Sequence, residues 1–381
     1  MIYLDYAATT PISEKALQAY AEASKHFYGN SSSLHDIGSD AADLLELCRE
    51  KLSGWLNCDR KGIYFTSGGT ESNILAITSL IDARKHLGNH LITTECEHSS
   101  VYNLFKKLEK SGFKVTYVPV KKDGMIDLHA LKNAVKDTTI LASIQHVNSE
   151  TGVIQPIRKI ARILHKNNVL YHCDMVQSFG KIPVNIEELQ IDSVSVSGHK
   201  VYGPKGVGAV YINPKIKWQP QLPGTTHEQG FRPGTVNVPG ICSFTVAADE
   251  ALEHMETEQQ RIKALREELV SRLKKNPRIT IEECKESQLP NILGLRIEGM
   301  EGQYAMLECN RSGLAISTGS ACAIGMQEPS RTIMAMGRTK EEALSFIRLS
   351  FGKYTTKNDM IKTAGILNQV ITRFFQNNER G

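Results

Sequence analysis

The chain has 381 residues, 41% of them hydrophobic and 23% charged, with 29 glycines and 13 prolines. That make-up exceeds one typical domain and excludes collagen-like, disordered and coiled-coil classes. The 45 Lys and Arg against 41 Asp and Glu leave a net charge of only +4, too weak a field to argue for nucleic acid or an anionic membrane as partner.

Eight cysteines never lie closer than ten positions apart, so there is no C-x-x-C zinc, redox or cluster motif and no metal site is expected. A disulfide framework is not expected either. The start Met1-Ile2-Tyr3-Leu4 has no basic leader, and no apolar run reaches the roughly 18 residues of a membrane span. A cytoplasmic protein with reduced thiols is expected.

In chain order, short β-branched runs alternate with helical patterns between about residues 60 and 212. Strands are predicted at Ile63–Thr66, His90–Thr94, Val115–Val118, Ile140–Gln145, Val169–Cys173, Ile191–Val196 and Val207–Ile212. Helices are predicted to open near Glu71, Ser99, Leu128, Ile157 and Ile186. This is an α/β pattern, a mostly parallel sheet covered on both faces. From Val238 to about Lys275 the apolar spacing predicts one long or broken amphipathic helix that bridges to a second unit. That unit is a smaller α+β domain, with strands at Ile279–Glu282, Asn291–Ile297, Leu314–Ser317 and Phe346–Phe351. Its predicted helices are Gln303–Arg311, two short ones, and a last from about Lys357 to Gln376.

In such a sheet, ligands sit beyond the carboxyl ends of the strands, so the residues that follow each strand carry the functional signal. Thr66-Ser67-Gly68-Gly69-Thr70-Glu71-Ser72-Asn73 is a glycine turn opening a helix, suited to a phosphate or carboxylate, or else simply a capped helix. In Ser197-Gly198-His199-Lys200, the lysine is either a solvated cation or a desolvated amine available for a Schiff base. Asp174, with Gln177 one turn on, either caps a helix or lies beside that lysine, 26 positions and one crossover away. A carboxylate there could keep a pyridine nitrogen protonated, as pyridoxal phosphate needs. Glu97-His98 precedes a helix, and the histidine is either structural or a ring-stacking acid/base group. Cys322, set among Gly, Ser and Ala in Ser317-Thr318-Gly319-Ser320-Ala321-Cys322-Ala323-Ile324-Gly325-Met326, reads as a reactive thiol, unlike the other seven cysteines.

Taken together, these segments resemble the NifS/IscS-type cysteine desulfurases of the class V aminotransferase family. The likeness runs from Tyr3-Leu4-Asp5-Tyr6-Ala7-Ala8-Thr9-Thr10-Pro11 through Arg232-Pro233-Gly234-Thr235 to Ile347-Arg348-Leu349-Ser350. It implies a pyridoxal-phosphate fold type I enzyme, with a large cofactor-binding domain over 15–255. Residues 1–14 and 256–381 would form a small domain carrying the cysteine loop. The resemblance implies that Lys200 forms the Schiff base, Asp174 pairs with the pyridinium and Gln177 contacts the phenolic oxygen. His98 would stack on the ring. Gly69, Thr70, Ser197 and His199 would hold the phosphate, and Thr235 would reach the phosphate of a partner subunit in a homodimer. Arg348 would grip the carboxylate of L-cysteine. Asn148 and Ser149 stand where the family commonly shows two asparagines that contact cofactor and substrate; the shorter Ser149 is a departure.

The implied reaction converts L-cysteine to L-alanine. Its sulfur passes to Cys322 as a persulfide and then to an acceptor: an iron–sulfur scaffold, a thiolation enzyme or an apoenzyme. The run from Ser317 to Pro329 resembles the long-loop group of these enzymes. A selenocysteine lyase or an aminotransferase would share Lys200 and Asp174 without needing Cys322. A cofactor-free cysteine hydrolase and an anion-binding module are the remaining alternatives.

Overall fold

The computed structural model describes residues 1–319 and 328–378. The chain opens with β1 (Ile2–Tyr3), α1 (Glu14–His26) and α2 (Asp36–Leu56). Both helices lie outside the predicted elements. α1 buries only Ala16 and Ala23 and shows no clean apolar period, whereas α2 buries Ala41, Leu45, Cys48, Leu52 and Leu56 at helical spacing and carries one.

Strand and helix then alternate: β2 (Ile63–Thr66), α3 (Gly69–Arg84), β3 (His90–Thr94), α4 (Ser99–Lys110), β4 (Lys114–Val118), α5 (Leu128–Ala134) and β5 (Thr139–Ser143). α6 (Ile157–His165), β6 (Leu170–Asp174), α7 (Ile186–Leu189), β7 (Ser193–Ser197) and β8 (Gly208–Ile212) complete the series. The predicted strands agree to within two residues at each end. They form a seven-stranded sheet in the order β2-β8-β7-β6-β5-β3-β4. All neighbours are parallel except β8, which runs antiparallel to β2 and β7.

Alternation along each strand feeds two cores on opposite faces. Phe65, Ile92 and Val194 enter one; Tyr64, Leu91 and Val210 enter the other. The edge strand β2 is closed by side chains rather than by another strand. Phe65 N–H donates to Glu228 Oε2 at 2.6 Å, Arg49 Nη1 donates to the Ile63 carbonyl, and Arg49 and Glu228 pair at 2.9 Å while both are buried.

The predicted bridging helix is two helices, α8 (Val238–Glu253) and α9 (Met255–Leu273), broken at His254. The break has a packing cause. Val238, Ile241 and Phe244 of α8 join a core of the large sheet, whereas Ile262, Leu265 and Leu269 of α9 join a separate core with Leu4, Leu293 and Leu349.

Around that second core lie β9 (Ile279–Glu282), β10 (Ile292–Ile297), α10 (Gly302–Arg311), β11 (Leu314–Ala315) and β12 (Ser317–Thr318). They are followed by α11 (Arg331–Ala335), α12 (Lys340–Leu344), β13 (Phe346–Ser350) and α13 (Lys357–Asn378). The single strand predicted at Leu314–Ser317 is two. β11 pairs in parallel with β1, while β12 joins the sheet β12-β13-β10-β9. Among the described residues no helix is long and apolar enough to cross a membrane.

Candidate active site

The carboxyl ends of β2, β3, β5, β6 and β7 open onto one cavity of about 830 Å³. Ser67, Glu97, Gln145, Asp174 and Ser197, each at or just past one of those ends, line it.

One end of the cavity is a cup built on glycine. Gly68 has φ +144°, a conformation L side chains rarely adopt, and a Cβ on Gly69 would lie 2.7 Å from Val176 Cγ2. α3 starts there, so its first N–H groups have no intrahelical acceptor and its dipole favours an anion. Facing the turn, Ser197 Oγ is buried without a hydrogen-bond partner.

On the floor, Asp174 ends β6 with its carboxylate held at both oxygens: Asn73 Nδ2 donates to Oδ2 at 2.8 Å and Val176 N–H to Oδ1 at 2.9 Å. Lys200 follows β7, and its ammonium donates to the carbonyls of Ala7 and, at 2.8 Å, Ala8. These carbonyls belong to an N-terminal segment laced onto the lysine turn. Thr10 N–H donates to the His199 carbonyl at 3.0 Å, and Tyr202 N–H donates to Thr10 Oγ1 at 2.9 Å. Gln177 Nε2 donates to the same Ala7 carbonyl at 3.0 Å, and Lys181 Nζ donates to Gln177 Oε1 at 3.0 Å. Burial and the nearby Lys200 lower Lys181 to about 7. Burial, then Lys200, Lys205 and Lys181, lower His199 to about 4, so it serves as a neutral hydrogen-bonding group.

His98 caps α4, with Ser100 N–H donating to its Nδ1 at 3.2 Å. Its pKa lies below the ordinary imidazole value because burial outweighs the attraction of Asp174. Beside it, burial pushes Glu97 up to about 8, against hydrogen bonds from Gln145 N–H and Thr94 Oγ1.

The outer wall comes from the second unit. Arg348 on β13 donates from Nη2 to Asp5 Oδ1 at 2.7 Å and from Nη1 to the Ser149 carbonyl at 3.0 Å, while its Nε–H is buried without a partner. Two of its five N–H groups are therefore committed and three remain for a ligand. Glu150, raised by burial, accepts from Ser330 Oγ at 2.5 Å and Thr332 Oγ1 at 2.8 Å. A Cβ at Gly319 would overlap Glu150 Oε2. Residues 319 and 330, the two sides of the cysteine segment, thus meet on one carboxylate. Cys322 itself lies outside the described residues.

A family model described as aminotransferase class-V matches residues 2–362. The chain belongs to the class-V aminotransferase family. A NifS-named relative from Bacillus subtilis (strain 168) is 50% identical over 363 residues, 94% of this chain and 92% of its own. The cysteine desulfurase IscS of Dictyoglomus turgidum is 38% identical over 373 residues, 98% of this chain and 95% of its own. A solved structure described as a NifS-like protein superposes with a TM-score of 0.92 at 33% identity, covering 97% of this chain and 99% of that one.

Class-V aminotransferases are pyridoxal-phosphate enzymes, and the residues present suit that group. The orphaned Ser197 hydroxyl and the glycine cup match a phosphate, Asp174 matches a pyridinium nitrogen, and the Lys200 amine matches an aldehyde. Among the other sequence-predicted positions, Gly69, Thr70, Ser149, Gln177, His98, His199 and Arg348 also line the cavity. Asn148 is not among the residues that line it. Its Oδ1 accepts from Glu150 N–H, Thr151 N–H and Thr151 Oγ1, and its Nδ2 donates to the Cys96 carbonyl and Thr332 Oγ1. It is spent on holding the turn that carries Ser149 and Glu150. Thr235 is exposed and away from the cavity of its own chain. Sequence reasoning missed Asp5, Ala7, Ala8, Asn73, Lys181 and Glu150. The two alanines act through backbone carbonyls, for which a side-chain pattern gives no signal.

Proposed function

We propose that this chain is a cysteine desulfurase that moves sulfur from L-cysteine to Cys322, releases L-alanine, and passes the sulfur to an acceptor protein for iron–sulfur assembly or thiolation. The observation that carries the reading is the single cavity at the sheet's carboxyl end that gathers Lys200, Asp174, His98 and Arg348. Lys200 would hold pyridoxal phosphate through its amine, with Asp174 and Gln177 at the ring edge and His98 against the ring. Gly69, Thr70, Ser197 and His199 would hold the phosphate. When bound, that cofactor supplies an electron sink for negative charge at the substrate Cα.

The protein's own groups do the rest. The remaining donors of Arg348 bind the substrate carboxylate, and Asp5 keeps the guanidinium plane from turning. The Lys200 amine takes the proton from Cα, a transfer that works near neutral pH only if the amine is uncharged. The Cys322 thiolate forms an S–S bond as the Cβ–S bond breaks, and protons returned to carbon complete L-alanine. One thiol and one L-cysteine thus give one persulfide and one L-alanine, with no outside oxidant or reductant. Thr235 would complete the phosphate site of a second copy in a homodimer, and the protein would work in the cytoplasm.

Purified protein is expected to be yellow, and borohydride trapping with peptide mapping is expected to place the adduct on Lys200. An adduct on another residue, or none, overturns the reading. Cys322→Ala is expected to keep the colour and lose persulfide formation; an aminotransferase or a selenocysteine lyase would keep its activity in that variant.

A further inference from the structure

A buried polar network runs beneath the cavity and supports two of its walls at once. At its centre is Asn73 on α3, 0% exposed. Its amide is oriented by hydrogen-bond logic: a carboxylate oxygen can only accept, so the nitrogen Nδ2 faces Asp174 Oδ2, 2.8 Å away. Asn73 Oδ1 must then accept from His172 Nε2, 3.1 Å away. His172 carries its proton on that nitrogen and accepts from Ser193 Oγ at Nδ1, 2.9 Å away. Full burial pushes His172 down to about 3, so this arrangement persists well into the acid range.

The second hydrogen of Nδ2 goes to Ser100 Oγ at 3.0 Å. Ser100 N–H donates to His98 Nδ1 at 3.2 Å, which requires a lone pair on that nitrogen, so Ser100 Oγ–H, 2.8 Å from the same atom, is its second donor. A nitrogen that accepts from two donors cannot carry a proton.

We propose that Asn73 and Ser100 are positioning residues that hold His98 as the neutral imidazole protonated at Nε2 while the same Asn73 amide sets the plane of the Asp174 carboxylate. The cavity therefore meets a fixed N–H donor at His98 and a fixed carboxylate at Asp174, coupled through one side chain. The charged groups that act on His98 are Asp174 on β6, Lys200 after β7 and Arg331 on α11. The consequence for catalysis rests on the role given to His98 above; the tautomer itself does not.

Protein labelled with ring-15N histidine provides the test, the His98 signals being assigned by their loss in His98→Gln. Wild type is expected to show His98 with the proton on Nε2 at neutral pH. Ser100→Ala is expected to mix the two tautomers and to raise the pH at which His98 protonates. It should lower kcat for L-cysteine about tenfold with KM nearly unchanged. Ser100→Thr, which keeps the hydroxyl, should restore the wild-type signals. Asn73→Ala should mix the tautomers and also alter the absorption of the bound cofactor; should that variant fail to fold, Ser100→Ala carries the test. A proton on Nδ1 in wild type, or an unchanged His98 in Ser100→Ala, overturns the proposal. The expected tautomer in a protein that captures no aldehyde at Lys200 would instead overturn the proposed function and leave the network standing.

Discussion

The two halves of the cavity are assembled in different ways. The inner half, with Gly69, Asp174 and Ser197, stands at the ends of strands in one sheet, each residue placed by the turn in which it sits. The outer half depends on distant segments coming together: Arg348 is held by Asp5, 343 positions away, and by the Ser149 carbonyl, 199 positions away. The sheet positions the inner half, whose Lys200 amine also meets the carbonyls of Ala7 and Ala8 in the N-terminal segment. The outer half exists only when the N-terminal segment and the second unit dock, so the two should fail separately.

Lys200→Ala is expected to break the inner half most severely, removing aldehyde capture and lowering desulfuration by a factor on the order of a thousand or more. An L-cysteine turnover assay alongside an absorption spectrum checks it. At the outer half, Gly319→Val would overlap Glu150, Ser330 and Phe346 and misplace one foot of the cysteine segment. Sulfur uptake by Cys322 should fall about a hundredfold while the spectrum stays that of wild type; a lost spectrum would show that the halves are not separable.

Removing the carboxylate that steadies Arg348 should do less. Asp5→Ala deletes one charge-assisted hydrogen bond, so KM for L-cysteine should rise about tenfold with kcat little changed. The smallest effect concerns the dry floor of the inner half. His172 is pushed down to about 3, so between its unfolded value near 6.5 and that point only the unfolded chain binds the proton, and stability falls as pH falls. The dependence amounts to about 1.4 kcal/mol per pH unit from this one group. His172→Gln lacks it, so denaturant melts at pH 7 and pH 5 should show the gap between wild type and variant shrinking at the lower pH. A gap that stays constant would mean the floor is wet, because a hydrated His172 would titrate alike in the folded and unfolded chain.

Much of the large sheet was legible in advance because β-branched runs bounded by polar or glycine turns announce a strand locally. α1 was not, since it buries only two alanines; α2 carries an apolar stripe of Ala41, Leu45, Cys48, Leu52 and Leu56 and lay outside the predicted elements all the same. The break at His254 was invisible for another reason. α8 and α9 continue one helical pattern, and only the existence of two cores forces the chain to change direction between them. Asn148 shows the same limit inside the site: its five hydrogen bonds to protein atoms cannot be read from its residue type.

From the sequence by itself came the alternation of strand and helix and the placing of Gly69, Asp174, Ser197 and Lys200 at strand ends, because period and turn chemistry are properties of neighbouring residues. Only the tertiary structure decided that the carbonyls of Ala7 and Ala8 receive the Lys200 amine, that Asp5 orients Arg348, and that one buried amide serves both Asp174 and His98. The reason is physical: hydrogen-bond partners far apart in the chain are chosen by packing, and a buried polar group takes whichever partner the packed core leaves within reach.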